Sequence, residues 1–367
     1  MSVLAEDDLW SERDTTPDAI ETALRELLRA RHAANQALAR ARVLNLIVVV
    51  DREWKGEIAN RLARVGRYHA SRTILCAVQD GRRTLDARAV ISYEEPAEGI
   101  LGVMREQIEI DLGSEHLAGL ETIVDPILAS ELPTMLWSPH GNEEVVHALL
   151  GMIDVMLLDS DDALQPPAAL ARASDLLGSG YVVDLAWLRT TPWRERLAAS
   201  FDPPARTAAL ERIAGLQVRH RPTSTASALL LVGWLASRLG WEARALESGG
   251  SGRLRGAARR GGSRGGAARG CDGAGGVEVE LKAIDQDAPG LCGVTVTCSS
   301  GFSLSLDRAR GGLCARERSP DGDDRTWQVL GASRGEGGVL GEGVRQALLR
   351  DPTYGPALDA ALGFCPA

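Results

Sequence analysis

Residues 43–50 read VLNLIVVV, a short and continuous apolar run that is rich in β-branched residues and interrupted only by Asn45. Such a run is typical of a strand that is covered on both faces, as strands of a parallel sheet are. A helix beginning at Pro17 is expected before the run, because apolar residues recur there at helical spacing. A second helix, Trp54–Val65, is expected after it, so the run predicts the centre of an α/β sheet.

The following sequence repeats this alternation of strands and helices. Further strands are predicted at Thr73–Val78, Leu85–Ile91, Met104–Ile110, Thr134–Trp137 and Ile153–Leu158, and helices at Leu117–Leu128 and Glu143–Leu149. Asp80-Gly81 is a hairpin signal between the first two of these strands. The pattern predicts a layered α/β domain with a mixed sheet at residues 15–165, preceded by a flexible tail at residues 1–14.

The second half of the chain has a different pattern. Helices are predicted at Pro192–Phe201, Thr207–Ile213, Thr223–Leu239, Val344–Leu349 and Pro356–Leu362, and strands at Val277–Leu281, Val294–Cys298, Phe302–Leu306, Leu313–Arg318 and Thr326–Leu330. Helices followed by a strand meander indicate a C-terminal α+β domain at residues 166–367. A Gly/Arg-rich segment at residues 248–276 interrupts this domain. Its composition is that of a flexible linker, although a reading-frame shift in a GC-rich gene would produce the same abrupt change.

Composition excludes several classes of protein. Hydrophobic residues make up 44% and charged residues 25% of the 367, which is ordinary for a globular protein and excludes disorder throughout. The formal net charge of −9 disfavours a nucleic-acid partner, because phosphate contacts need a positive surface. No apolar run approaches the roughly 20 residues of a spanning helix. The N-terminal MSVLAEDDLW is acidic where a secretion signal would be basic, so we expect a cytoplasmic protein without a membrane partner.

Cysteine and histidine spacing gives no sign of a metal or a cofactor. The six cysteines form no CxxC pair, and the spacing of Cys292, Cys298 and Cys314 does not fit a structural zinc site. Glu144 and His147 have the i, i+3 spacing of a carboxylate-bridged metal helix, but no second helix repeats the pair. We therefore expect neither a metal nor a cofactor.

Two places in the chain could carry chemistry. Ser71 follows His69 by two residues and precedes Arg72, which could bind an anion or a neighbouring carboxylate. A Ser-His pair needs a third orienting group, and no GxSxG elbow is present. Four aspartates between Asp154 and Asp162 could hold Mg²⁺, although a solvated acidic loop is favoured. Ser71, Arg72 and this acidic cluster define one alternative function, an enzyme or regulator that binds a sugar phosphate.

The most unusual window is DLAWLRTTPWRERLAASFDPP at residues 184–204, which holds two of the eight tryptophans. Thr191 and Pro192 predict the start of a helix within it. Tryptophan and arginine are enriched at interface hot spots. Trp187 and Trp193 could equally anchor the core of the domain. Composition favours the core, and the interface remains an open alternative.

Three motifs belong together: ASRTI at residues 70–74, ILASELPTMLWSP at residues 127–139, and the window at residues 184–204. In this order they resemble the OpcA family, the glucose-6-phosphate dehydrogenase assembly proteins of actinobacteria and cyanobacteria. The resemblance is specific over about residues 18–240 and looser after Val277.

The resemblance implies a partner protein that is not itself an enzyme. The family is linked to the assembly and activation of glucose-6-phosphate dehydrogenase, the NADP-dependent entry step of the oxidative pentose phosphate pathway. We therefore expect a non-catalytic protein that binds the dehydrogenase, stabilises its active oligomer and supports NADPH production. The family signature falls on the residues that we take as partner-binding candidates, which are Asp184, Trp187, Arg189, Thr191, Pro192, Trp193, Arg194, Ser71, Arg72 and Thr73.

Overall fold

The computed structural model describes residues 8–34, 43–65, 71–94, 103–139, 142–261, 276–330, 336–347 and 349–366. The chain divides into two compact units. Unit 1 comprises residues 1–158, 179–183 and 340–349, and unit 2 comprises residues 159–178, 184–339 and 350–367. The domain boundary at residue 165 stays a prediction from the sequence.

The first sheet combines parallel strands with an antiparallel edge. Its described strands are β1 (Asp8–Glu12), β2 (Leu44–Asp51), β3 (Ser71–Val78), β4 (Asp86–Glu94), β5 (Val103–Leu112), β6 (Thr134–Trp137), β7 (Val155–Leu158) and β8 (Tyr181–Asp184). They lie in the order β1-β4-β5-β3-β2-β6-β7-β8. Neighbouring strands from β5 to β7 in this order are parallel, whereas β4 is antiparallel to both β1 and β5.

Strand β2 lies at the centre of this sheet, as its sequence predicts. Every residue from Leu44 to Val50 is buried, and parallel strands pair with β2 on both sides. The first four helices of the chain, all in unit 1, are α1 (Pro17–Ala34), α2 (Lys55–Val65), α3 (Leu120–Val124) and α4 (Glu143–Leu149). The two helices expected on either side of the strand are therefore present as α1 and α2.

The hairpin expected at Asp80-Gly81 is wrong. Gly81 has a φ of 75°, the left-handed region that suits a tight turn, but β3 and β4 do not pair. Strand β5 lies between them, parallel to β3 and antiparallel to β4. A turn signal reports only the local reversal of the chain. The neighbour of a strand depends on which edge of the sheet a later strand fills.

Two other predictions in unit 1, both made from local sequence, are wrong in part. Residues 8–12 of the expected flexible tail form β1, because the edge of β4 offers unpaired backbone groups with which an extended segment can pair. The helix expected at Leu117–Leu128 is broken into α3 and two flanking 3₁₀ segments, Ser114–Gly119 and Asp125–Ile127. Gly119 and Pro126 account for the breaks, since glycine weakens a helix and proline lacks the backbone N–H that a helix interior needs.

The second sheet is mainly antiparallel. Its described strands are β9 (Ile213–His220), β10 (Trp241–Glu242), β11 (Glu247–Ser248), β12 (Arg253–Arg260), β13 (Val277–Ala283), β14 (Leu291–Cys298), β15 (Ser303–Ala309), β16 (Gly312–Arg318) and β17 (Asp324–Leu330). They follow the order β10-β12-β13-β9-β14-β15-β16-β17, and β11 also pairs with β12. The hairpin expected across Ser299-Ser300-Gly301 is confirmed, because Val296 of β14 lies opposite Leu304 of β15.

The remaining helices are α5 (Pro166–Leu177), α6 (Leu185–Phe201), α7 (Pro204–Leu210), α8 (Thr225–Leu239), α9 (Glu336–Gln346) and α10 (Tyr354–Phe364). Helix α8 ends at Gly240, whose φ of 66° is the left-handed conformation of a helix C-terminus. Helices and two mixed sheets confirm the α/β class. Over the described part of the chain, no helix combines the length and the apolar character that a membrane crossing requires.

The Gly/Arg-rich segment is not a linker throughout. Its residues 253–260 form β12, which is antiparallel to β10, β11 and β13. Ala258 is only 1% exposed, whereas its neighbour Ala257 is exposed. The composition did not indicate this strand, because Gly256 and Ala258 occupy inward-facing positions that usually carry large apolar side chains in a strand. Residues 262–275 of the segment lie outside the described residues.

Strand β9 was also missed. The helix expected at Thr207–Ile213 ends earlier, as α7, and β9 follows at the centre of the second sheet. Only Ile213, Leu216 and Val218 supply apolar side chains to its buried positions, and the shift in spacing hides the period of two. Bulges that offset β9 against β14 accommodate this irregular spacing.

Candidate functional site

The candidate site is built around α6, which carries most of the window at residues 184–204. Asp184 precedes the helix and caps it, because its Oδ1 accepts hydrogen bonds from the backbone N–H groups of Ala186, at 2.9 Å, and Ser160, at 3.1 Å. Its Oδ2 accepts from the hydroxyls of Ser160, at 2.6 Å, and Tyr354, at 3.0 Å. Burial raises the pKa of the Asp184 carboxyl, and the hydrogen bonds oppose this shift.

The helix does not begin at Pro192, so that prediction is wrong. Helix α6 begins at Leu185 and continues through Pro192 to Phe201. Pro192 has no N–H to donate to the carbonyl of Leu188, which costs a helix interior about 3 kcal/mol. The cap at Asp184 and the burial of side chains along α6 stabilise the helix by more than this cost. Neither the cap nor the burial can be recognised from the residues next to Pro192.

Trp187 lies at the centre of a cluster of charged and aromatic groups. Its indole Nε1 donates to Oδ2 of Asp351 at 2.8 Å, and the guanidinium of Arg194 lies 3.5 Å from the centroid of its ring. The ring of Tyr354 lies 5.5 Å from the Trp187 ring, centroid to centroid. Burial lowers the pKa of Arg194 to about 10, against the opposing charges of Asp351 and Glu195. The cluster joins α6 to the start of α10.

Arg189 faces two carboxylates from the segment that follows β7. Its two terminal nitrogens donate to Oδ1 and Oδ2 of Asp159 at 2.6 Å each, and one of them lies 3.5 Å from Oδ2 of Asp161. Asp161 in turn accepts from the backbone N–H of Ser227 at 3.0 Å and from its hydroxyl at 2.5 Å. Burial, and then the charge of Asp159, raises the pKa of Asp161 to about 7. These contacts connect α6 and α8 to the segment after β7 that carries Asp159 and Asp161.

The favoured interpretation of the acidic cluster as a solvated loop is therefore wrong for Asp159 and Asp161. Their side chains are 6% exposed and bound to Arg189. Asp154 is exposed, and its Oδ2 accepts from the backbone N–H of Thr134 at 2.8 Å. Asp162 is exposed. Among the described residues, no group of three or more His, Cys, Asp and Glu side chains is arranged to hold a metal ion.

The signature residues in unit 1 lie on β3. Arg72 is buried, its Nε donates to Glu106 at 2.8 Å, and its Nη1 donates to the carbonyl oxygen of Ile127 at 2.6 Å. The Ser71 hydroxyl is buried and lies 3.3 Å from that of Thr73. The histidine that the sequence pairs with Ser71, at position 69, is outside the described residues. Of the two roles open to Arg72, the pairing with a neighbouring carboxylate is present.

Most of the partner-binding candidates are buried within the chain. Trp187 is 2% exposed, Trp193 1% and Arg189 8%. Thr191, Pro192 and Arg194 are partly exposed. Reasoning from the sequence missed Asp351 and Tyr354, which lie 164 and 170 residues after their partners Trp187 and Asp184. No local pattern could have indicated contacts at that separation.

The described cysteines and the arginines of β12 lie outside α6. Cys76, Cys292, Cys298, Cys314 and Cys365 carry free thiols, and burial raises the pKa of Cys76 to about 12. In β12, Arg255 pairs with Glu280 at 2.7 Å. The carboxylate of Glu280, on the neighbouring strand β13, thus neutralises one of the positive charges of the Gly/Arg-rich segment.

The amino-acid sequence of the chain matches two family models, one after the other. One, described as the N-terminal domain of a glucose-6-phosphate dehydrogenase subunit, matches residues 62–175. The other, described as the C-terminal domain of the same kind of subunit, matches residues 180–358. Both models carry the OpcA name, and together they span most of the chain.

Three curated relatives come from cyanobacteria and are named, provisionally, OxPP cycle protein OpcA. The chain is 29% identical to the protein of Synechococcus elongatus over 174 residues, which are 46% of this chain and 39% of the relative. It is 34% identical to that of Nostoc punctiforme over 132 residues, 35% of this chain and 28% of the relative. It is 30% identical to that of Synechocystis over 140 residues, 37% of this chain and 30% of the relative.

Each of these alignments spans well under half of the relative's length. The two family models, in contrast, follow one another along the chain with a gap of only a few residues. The second of them includes all of α6 and the segment that supplies Asp351 and Tyr354. By these two consecutive matches, the chain belongs to the OpcA family.

Proposed function

We propose that this chain binds glucose-6-phosphate dehydrogenase and stabilises its active oligomer, without catalysing a reaction of its own. The observation that carries the proposal is the pair of consecutive matches, both described as domains of a glucose-6-phosphate dehydrogenase subunit. The name of the curated relatives, which refers to the OxPP cycle, supports the same metabolic setting. In this role the chain would support NADPH production by activating the dehydrogenase.

The rival function, an enzyme or regulator acting on a sugar phosphate, receives less support. The guanidinium of Arg72 already donates hydrogen bonds to Glu106 and to a backbone carbonyl, so few of its donors are left for a phosphate. Asp159 and Asp161 are likewise held by Arg189. A binding site for an anion or a metal would have to break these buried pairs, and removing one partner from such a pair costs about 3–5 kcal/mol.

The signature window supports the proposal through the surface that it positions. Buried members of the window, such as Trp187, Arg189 and Trp193, fix α6 in the unit. Leu188, Thr191, Pro192, Glu195 and Ala199 are partly or fully exposed, and their spacing along a helix places them on one side of it. We propose this stripe of α6 as part of the surface that contacts the dehydrogenase.

Activation of this kind needs no chemistry from the partner protein. A protein that binds the active oligomer in preference to its free subunits shifts the population toward that oligomer by mass action. A difference of about 1–3 kcal/mol between the two states changes the population about 5–150-fold. A rigid surface that recognises only the assembled dehydrogenase would provide this difference.

The test uses this chain and the dehydrogenase of the same organism. NADPH production is followed against glucose 6-phosphate concentration with and without the chain, and the mixture is analysed by size exclusion with light scattering. We expect a higher rate and co-elution at the mass of a mixed complex. An unchanged rate without co-elution overturns the proposal. Turnover of a sugar phosphate by the chain alone would overturn the non-catalytic part of it.

A further inference from the structure

The parallel strands of unit 1 have a doubly wound order. The chain runs from β2 outward to β3 and β5 on one side, and then returns to place β6 and β7 on the other side. All neighbours in the series β5-β3-β2-β6-β7 are parallel. Numbered along the chain, the series reads 3-2-1-4-5, the order of dinucleotide-binding folds. The carboxyl ends of β2 and β6 therefore flank a topological switch point, where open α/β sheets bind their ligands.

A cavity lies at this switch point. Its lining residues are Val49, Val50 and Asp51 from the carboxyl end of β2, and Pro139 and Asn142 from the segment after β6. Its volume is about 160 Å³. Pockets for drug-sized ligands begin at about 300 Å³, so this one suits a small group such as a single sugar ring. Topology and cavity are independent observations that mark the same place.

The chemistry of the lining selects among possible ligands. Asp51 is the exposed last residue of β2, and its side chain makes no capping hydrogen bond to the 3₁₀ turn that follows. The Oδ1 of Asn142 accepts from the backbone N–H of Val145 at 3.2 Å, so its amide nitrogen remains a donor. Val50 and Pro139 supply apolar surface. A carboxylate acceptor, an amide donor and an apolar wall together match the hydroxyl groups and the C–H face of a sugar.

The same lining disfavours a phosphate. No cationic side chain is among the described residues that line the cavity. The nearest cations in the sequence, Arg52 and Lys55, are paired with Asp111 at 2.5 and 2.8 Å. No glycine-rich loop follows β2, because residues 52–54 form a 3₁₀ turn with the sequence REW. The glycines that let the backbone approach a pyrophosphate in dinucleotide-binding folds thus have no counterpart in that turn.

We propose that this cavity binds a neutral polyhydroxyl ligand, either a free sugar or the ribose of a nucleoside. Asp51 accepts hydrogen bonds from neighbouring hydroxyls of the ring, and Asn142 donates one to a ring hydroxyl. The site lies in unit 1 and does not involve α6. It is therefore independent of the proposed binding of the dehydrogenase, and either proposal can fail without the other.

The test is a titration of the full chain with glucose, adenosine and glucose 6-phosphate at millimolar concentration, followed by calorimetry and by saturation-transfer NMR. The variants are Asp51→Asn, which keeps the shape of the site, and Asp80→Asn, which makes the same charge change at an exposed position after β3. We expect glucose or adenosine to bind, and Asp51→Asn to weaken that binding about tenfold or more, the size of one hydrogen bond to a charged group. The Asp80→Asn variant should bind like the parent.

Each outcome decides the proposal. Binding of glucose alone identifies a free sugar as the source of the ring, and binding of adenosine alone identifies a nucleoside. If neither of them binds, the proposal is wrong. It is equally wrong if glucose 6-phosphate binds and glucose does not, because the site would then recognise the phosphate. Equal affinity of the parent and Asp51→Asn would also overturn it, provided that both melt at the same temperature.

Discussion

Arg189 and Asp159 form a bidentate ion pair, in which each terminal nitrogen of the guanidinium lies 2.6 Å from one carboxylate oxygen. Both side chains are 6% exposed. Arg189 also lies 3.5 Å from Asp161, so one cation faces two buried carboxylates. A second negative charge in such a place is costly unless it is protonated or well bonded. We therefore expect the stability of unit 2 to depend on pH.

We expect Asp161 to make the protein less stable as the pH rises toward neutrality. Burial raises its pKa in the folded chain to about 7, so the folded state holds the proton more tightly than the unfolded state does. The stabilisation is complete below the unfolded pKa of about 3.9 and is lost as the pH rises through about 7. In the Asp161→Asn variant this loss, on the order of 1–4 kcal/mol, should disappear.

The measurement is urea unfolding of the parent and of Asp161→Asn across that pH range. The difference between their free energies of unfolding should shift in favour of the variant as the pH rises. Asp175→Asn, at an exposed position of α5, is the control and should follow the parent at every pH. If the difference between the parent and Asp161→Asn does not change with pH, Asp161 is ionised throughout and the prediction is wrong.

Gly233 is expected to be essential for the packing of α8 against α10. A Cβ at this position would lie 2.1 Å from the carbonyl oxygen of Ala357 and 2.7 Å from the backbone nitrogen of Ala361. Gly233→Ala should therefore lower the free energy of unfolding by at least about 2 kcal/mol, the cost of overpacking a core. Gly355→Ala in α10, where a Cβ would meet nothing within 4 Å, should be neutral or slightly stabilising. Equal melting temperatures for the two variants would contradict the close approach of the helices.

Adjacent alanines in β12 test whether the Gly/Arg-rich segment is an ordered strand. Ala258 is 1% exposed, whereas Ala257 points to the exposed face. Ala258→Lys should lower the free energy of unfolding by about 3 kcal/mol or more, because it buries an unpaired charge. Ala257→Lys, opposite Glu278, should change it by less than about 0.5 kcal/mol. Thermal unfolding of the two variants gives the comparison, and a flexible linker would tolerate both changes alike.

Trp193 is expected to act in the core and not at an interface. It is 1% exposed, and Trp193→Ala should cost about 3–5 kcal/mol of stability. Trp54→Ala, at a residue that is 39% exposed, is the control and should cost much less. Melting temperatures are compared with activation of the dehydrogenase in the same preparations. Loss of activation by Trp193→Ala at an unchanged melting temperature would support the interface alternative instead.

Glu195 is expected to contribute to the proposed docking stripe of α6. It is exposed on the helix, and Glu195→Arg reverses its charge without placing a new side chain in the buried face. Since charge reversal at the rim of an interface mainly changes association, we expect weaker co-elution with the dehydrogenase at an unchanged melting temperature. Glu26→Arg, on the exposed face of α1, is the matched control. Equal co-elution of both variants would exclude this part of α6 from the interface.

The sequence predicted the elements whose side chains repeat regularly. The buried run at β2, the helix α4 and the β14–β15 hairpin follow from periodicity and turn residues, which act between near neighbours in the chain. Predictions failed where the apolar residues were too small or too irregular to show a period, as in β12 and β9. They also failed where the partner of a strand was decided by a later strand, as with β5 between β3 and β4.

The candidate site shows the same division. The window at residues 184–204 could be recognised from its sequence, because its tryptophans, arginines and prolines form an unusual and specific run. The sequence alone thus determined the α/β class and pointed to the family. Only the tertiary structure decided that Arg189 binds Asp159 and that Trp187 binds Asp351. The physical reason is that such pairs depend on burial, and burial brings together residues that lie far apart in the chain.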